Sequence, residues 1–374
     1  MKLSPLSLTR KLISHNTINP PGNESVCADF ISSILESHGL EVDQIHLSEN
    51  RSCLWAISAR ESESSYLYFC GHMDTVPLGK QQWSVGPFSG EVKEGRVYGR
   101  GASDMKSGLA AMIFSALRVS RVKGQKRGVV FLFTCGEETF CEGVRHLASI
   151  KDRLPPMGAL VVCEPTSNHV CVAHKGAIHY LLTFHGKSAH ASMPHLGSNA
   201  IYKACKGIQT IQTLKLVRSP HPLLGYPTLS VGTINGGENI NSVPDSVSIG
   251  LDIRVLPGQK EPDIRASLKE ALGPEVEIDL LNQAPGIYTS PDDPWVGQVM
   301  EIVEGITGKK SEPQTVPYFT DASILTPAFG NPPTVILGPG QPEMAHKTDE
   351  YCYISKLEEA IEIYWKLIEK WCIQ

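Results

Sequence analysis

No stretch of the 374-residue chain approaches the ~18–20 uninterrupted apolar residues of a membrane-spanning helix. The N-terminal MKLSPLSLTRKLISHNTINP lacks both a continuous apolar run and a small-residue cleavage site, so it reads as a first helix, not an export signal. Charge of one sign is scarce too. With 34 Lys and Arg against 39 Asp and Glu, a formal charge of −5 argues against nucleic acid as the main partner. The ten cysteines include no C-x-x-C pair, and Cys70, Cys135 and Cys163 sit inside apolar runs, where a thiol serves as a small hydrophobe. A chain of this size needs no disulfide staple, so the cysteines read as reduced and the compartment as cytoplasmic. The pattern G-x-S-x-G is missing, which removes the main serine-nucleophile route. Neither G-x-G-x-x-G nor G-x-x-x-x-G-K-[ST] occurs, which removes phosphate cradling. There is no internal repeat and no low-complexity segment.

What is there describes a globular protein: 41% apolar and 20% charged residues, enough for a large core. The length favours two domains. SSYLYFCGH, RGVVFLFTCGEE and GALVVCEPT are short continuous apolar runs separated by helical segments such as KSGLAAMIFSALRVSR. That texture predicts an α/β domain with a mainly parallel sheet covered by helices. From about residue 176 the texture changes to a β-α-β-β-α-β order, the ferredoxin-like α+β unit, with Ser198 or Asn199 capping its first helix. The helix/strand texture returns near 285. The expected organisation is a catalytic domain in two parts, 1–175 and 285–374, interrupted by a smaller lid or dimerisation domain over 176–284.

In parallel sheets, reactive groups gather beyond the carboxyl ends of the strands. Here the apolar runs end in metal-capable residues: His72 and Asp74, then Glu137 and Glu138, then Glu164. Asp104 lies between a glycine-rich turn and a helix start in GRGASDMKSGLAAM, and His346 follows another apolar run in GPGQPEMAHKTDEY. Each has an ordinary reading: a hydrogen-bonded His–Asp pair, a helix-capping acid, solvated glutamates. Together they suggest a metal pair. His72, Asp104 and Glu164 could hold one ion, and Asp104, Glu138 and His346 a second. Of the two adjacent glutamates, one could ligate while the other acts as general base. Mixed imidazole and carboxylate donors suit zinc, with cobalt or manganese as substitutes.

These motifs resemble the two-metal amidohydrolases and exopeptidases that include acetylornithine deacetylase, succinyl-diaminopimelate desuccinylase, the glutamate-releasing carboxypeptidases and aminoacylase. The resemblance runs from GHMDTVP to AHKTDEY and takes in the inserted domain. It implies two divalent ions held by His72, Asp104, Glu138, Glu164 and His346, with Asp74 orienting His72 and Glu137 as general base. It further implies that His190, in GKSAHASMPHLGSNAI, reaches the substrate carbonyl oxygen, that Asn241 and Arg254 contact substrate, and that the chain is a homodimer. Thr320 falls in VPYFTDASIL, which resembles the family's substrate loop, but Phe319 stands where glycine is usual. Likewise Thr348 stands where the deacetylases carry proline.

The expected reaction is hydrolysis of an N-acyl amino acid, acetylornithine-like or succinyl-diaminopimelate-like. A carboxypeptidase or dipeptidase with the same machinery is the alternative. The expected partner is a small N-acyl amino acid or short peptide, with no nucleic acid and no membrane. A metal-dependent binding protein would need only the five ligands; Glu137 is the additional acid that catalysis requires.

Overall fold

The computed structural model describes residues 3–58 and 65–372. Ser64, where the run SSYLYFCGH begins, and Met1–Lys2 of the expected first helix lie outside the described residues. The chain divides into two compact units, one of Met1–Ala173, Tyr288–Thr315 and Thr320–Gln374, the other of His174–Ile287 and Val316–Phe319.

The first unit is built on a sheet in the order 41–48, 51–58, 129–134, 66–72, 157–162, 334–336. Strand Tyr66–His72 runs parallel to Val129–Thr134 on one side and to Met157–Val162 on the other, and Thr334–Ile336 continues the parallel set. Two antiparallel strands, Glu41–Ser48 and Arg51–Ser58, close the far edge. Every residue of Tyr66–His72 and Val129–Thr134 is buried, as expected of strands with both faces covered. Helix Ser107–Val119 supplies Leu109, Met112 and Ile113 to the core that holds Phe69 and Phe131. The closing helix Ile354–Cys372 buries Leu357, Ala360, Ile363, Tyr364, Leu367 and Ile368, a stripe with the 3.6-residue period of an amphipathic helix. The ring of Phe69 stacks on Phe131 at 5.6 Å and meets Tyr364 at 5.0 Å.

The second unit is an antiparallel sheet of Gly176–His185, Thr228–Gly236, Ser246–Val255 and Glu277–Ala284, with Ser246–Val255 and Gly176–His185 in the middle. Burial alternates strictly along Ser246–Val255, so one face of the sheet packs and the other is open. Helices Ala200–Thr213 and Glu261–Leu272 cover the packed face through Ala204, Ile211, Ile264 and Leu268. Asn199 is the N-cap, its side chain accepting from the Tyr202 N–H at 3.2 Å. The β-α-β-β-α-β order and the central placement of the first and third strands are those of the ferredoxin-like unit. Among the described residues no helix is long and apolar enough to cross a membrane. All ten cysteines are free and nine are buried.

Candidate metal centre

Three neighbouring parallel strands bring their carboxyl ends side by side. His72 ends Tyr66–His72, Glu137 and Glu138 follow Val129–Thr134, and Glu164 follows Met157–Val162. Glycine before His72 leaves room for the side chains packed over the strand end: a Cβ on Gly71 would lie 2.5 Å from Met105 Cε and 2.9 Å from Leu109 Cδ2, so those two side chains would have to shift. Asp104 stands just before helix Ser107–Val119, and its peptide bond to Met105 is cis. His346 follows Thr334–Ile336 on a loop and has φ 63, a conformation uncommon outside glycine.

All these groups lie in the first unit and converge. His72 Nε2 is 3.0 Å from Asp104 Oδ1 and 3.6 Å from Glu164 Oε1. His346 Nε2 is 3.4 Å from Asp104 Oδ2 and 3.1 Å from Glu138 Oε2. Asp104 therefore turns one oxygen to each imidazole, with a second carboxylate beside each. His72 with Asp104 and Glu138, and His72 with Glu137 and Glu164, each offer donor atoms within 4.8 Å of one another. The donors fit a divalent cation on two further counts. Buried acids outnumber the imidazoles facing them, and Glu138 Oε1 is buried with no hydrogen-bond partner among the described residues.

Electrostatics follow from that crowding. Burial pushes the Asp104 carboxyl up, but His346 and His72 outweigh it and hold it below the usual carboxylate range. Burial raises Glu164 to about 7 against the pull of His72. Burial, then the charge of Glu164, lifts Glu137 well above its ordinary value. Hydrogen bonds to Asp104 and Glu138 raise His346 to about 10.

Asp74 does more than face His72. The nearer partner of the imidazole is the Asp74 backbone: His72 Nδ1–H donates to its carbonyl oxygen at 2.9 Å, and the carboxylate is 3.5 Å away. That bond leaves Nε2 for a cation. The carboxylate accepts the N–H groups of Glu137 and Glu138, both at 3.2 Å, and Asn19 Nδ2–H at 3.0 Å. It thus holds the loop that carries both glutamates.

Sequence reasoning missed Asn19 and Asp321. Asp321 is buried and accepts from Thr134 Oγ1–H at 2.6 Å, and its Oδ1 has no partner among the described residues. Burial brings its carboxyl up to about 6. It opens helix Ala322–Ala328, where an acid looks like an ordinary cap, and no strand-end signal marks it. Thr320 is buried one residue earlier, its Oγ1 accepting from the Ala322 N–H at 3.2 Å. His190, Asn241 and Arg254 lie in the second unit. His190 is exposed and accepts from Ser192 Oγ–H at 2.8 Å, and the Asn241 carbonyl accepts the Ala191 N–H at 3.0 Å. Arg254 forks onto Asp252 at 2.9 and 3.1 Å.

The model of Peptidase family M20/M25/M40 matches residues 68–370. The chain belongs to this family. The acetylornithine deacetylase of Proteus mirabilis is 31% identical over 386 residues, covering 98% of this chain and 97% of that protein. Its counterpart in Photorhabdus laumondii is also 31% identical, over 100% of this chain and 99% of its own. Among solved structures, an M20-family metallo-carboxypeptidase of Sulfolobus solfataricus superposes with a TM-score of 0.82 at 19% identity, over 99% of both chains. A dinuclear metal-binding peptidase of Bacillus subtilis superposes with 0.75 at 15% identity, over 97% and 96%. These two likenesses speak for the fold. As a member of the M20/M25/M40 family the chain is a metal-dependent amide hydrolase.

Proposed function

We propose that the chain hydrolyses the amide bond of an N-acyl amino acid, with N-acetyl substrates of the acetylornithine kind preferred, using two divalent ions, zinc in the native enzyme. The observation that carries this reading is Asp104, with one oxygen 3.0 Å from His72 and the other 3.4 Å from His346, each imidazole having a further glutamate, Glu164 or Glu138, beside it. The substrate class rests on the named activity of the relatives in Proteus mirabilis and Photorhabdus laumondii.

His72, Asp104 and Glu164 would hold one ion, and Asp104, Glu138 and His346 the other. Bound there, the ions supply Lewis acidity to an amide carbonyl and bring the pKa of water toward neutrality. Glu137 takes the proton of the attacking water and delivers it to the departing amine nitrogen. Asp74 keeps Glu137 in place by accepting its N–H. His190 stabilises negative charge on the carbonyl oxygen. Arg254 binds the substrate carboxylate, exchanging Asp252 for the ligand, and Asn241 and Thr320 are further substrate contacts. A second copy of the chain joins through the second unit, where edge strand Thr228–Gly236 is open and Ile234 and Tyr202 are 50% and 69% exposed. Ten unpaired thiols support a cytoplasmic home.

A panel of N-acetyl, N-succinyl and dipeptide substrates, run on zinc-loaded and chelated protein, tests the reading. N-acetyl amino acids should turn over fastest, and chelation should abolish all turnover. Faster cleavage of dipeptides would replace the deacylase reading by the carboxypeptidase one.

A further inference from the structure

Glu350 lies four residues beyond His346 and is fully buried. Its Oε1 accepts the backbone N–H groups of Ser103 at 2.8 Å and Asp104 at 2.9 Å. Its Oε2 accepts the N–H of Gly101 at 2.9 Å and Arg100 Nη1–H at 2.7 Å. Four donors thus fill the carboxylate, three of them from the four-residue stretch that ends in Asp104. The backbone adds one more tie, from Gly99 N–H to the Glu350 carbonyl at 2.9 Å. Arg100, itself 1% exposed, extends the arrangement. It donates to the carbonyl of Lys347, next to His346, and to that of Pro77, just beyond the His72–Asp74 pair, each at 3.1 Å. Gly101 makes the close approach possible: it has φ +84, and a Cβ there would lie 2.8 Å from Thr75 Cγ2.

A buried carboxylate this fully satisfied is rigid, because moving it would strand several donors at once. We propose that Glu350 is a positioning residue, clamping the Asp104 loop to the His346 segment and so aiming the one carboxylate that serves both metal positions. Glu350 itself touches neither position. It acts through the backbone of Asp104, and Arg100 ties the same clamp to the segment after His72. The inference rests on the two-ion reading of the site, not on the choice of substrate.

The arrangement has a signature that loss of a terminal ligand lacks. His346 faces only one of the two donor sets, so its removal weakens one ion. Asp104 faces both, so a misaimed Asp104 weakens both together. Outer partners of metal ligands are worth about 10–100-fold in affinity. The experiment titrates metal-free protein with zinc alone, by calorimetry, and follows cobalt uptake by its visible absorption. Glu350→Gln keeps the shape but turns an amide N–H₂ toward N–H donors. It should weaken both zinc sites by about 10–100-fold and alter the cobalt spectrum. Arg100→Lys keeps the charge and loses the fork, and should weaken both by about tenfold; it carries the test if Glu350→Gln does not fold. Leu12→Ala, a buried core change, serves as control and should lower the unfolding temperature with zinc affinity unchanged. Wild-type protein that takes up one zinc ion refutes the two-ion reading and the shared-carboxylate signature with it. Wild-type protein that takes two, with a folded Glu350→Gln or Arg100→Lys doing the same at unchanged affinity, refutes the clamp alone.

Discussion

Replacing Asp74 by alanine separates two jobs that this side chain combines. The closer hydrogen bond of His72, from Nδ1–H to the Asp74 carbonyl at 2.9 Å, belongs to the backbone and survives the substitution. The three donors to the carboxylate do not fare equally. Asn19 Nδ2–H keeps Thr139 Oγ1 at 2.9 Å as a second acceptor, whereas the N–H groups of Glu137 and Glu138 lose their side-chain acceptor. A buried N–H left without a partner costs about 1–3 kcal/mol. The Glu138 N–H lies nearer solvent, so the pair together should cost about 2–4 kcal/mol. For a unit of this size that is a fall of about 4–8 °C in unfolding temperature. Zinc affinity should drop by no more than about tenfold, the low end for an outer partner, because His72 stays oriented. Turnover should suffer more, by about 100-fold, because the loop that aims Glu137 is loosened. The comparison belongs in zinc-saturated protein, since removing one acid from so acidic a cluster also relieves repulsion in the metal-free chain. Thermal melts, zinc content and kcat on an N-acetyl amino acid give the three readouts. An unfolding temperature within about 2 °C of wild type, with kcat within about twofold, would refute the reasoning.

Glu137→Gln should retain both zinc ions and lose about 10²–10⁴-fold in kcat, checked by metal analysis beside steady-state kinetics; unchanged turnover would sink the proposed base. Metal uptake should release protons, because His346 is raised to about 10 by Asp104 and Glu138 and must shed its proton to ligate. A cation replaces that proton, so zinc affinity should rise with pH up to about 10 and fall as pH drops. Calorimetry in two buffers of different ionisation enthalpy measures the release, and zero net release at pH 7 would count against this account. Phe319→Gly should change the ratio of N-acetyl to N-succinyl turnover while leaving zinc content alone. An unaltered ratio would remove Phe319 from the specificity argument.

Much of the fold was legible in the chain. The apolar runs before His72, Glu137 and Glu164 are local properties, and a strand buried on both faces must be apolar throughout. The period of Ile354–Cys372 and the Asn199 cap are local in the same way. The acids of the site could also be noticed one by one, because acids at the ends of apolar strands are conspicuous. Asp321 could not, because an acid at a helix start has an ordinary use.

Sequence alone determined the kind of chemistry: which side chains carry imidazole and carboxylate, and that the parallel strands end in them. Tertiary structure decided which atom faces which. Only there does Asp104 split its two oxygens between His72 and His346, which are 274 residues apart in the chain. Only there does Asp74 take the N–H groups of Glu137 and Glu138, and Glu350 the N–H groups before Asp104. The reason is physical. Propensity and periodicity act over a few residues, whereas a buried carboxylate is satisfied by whatever donors the packed chain brings within 3 Å, however distant in sequence.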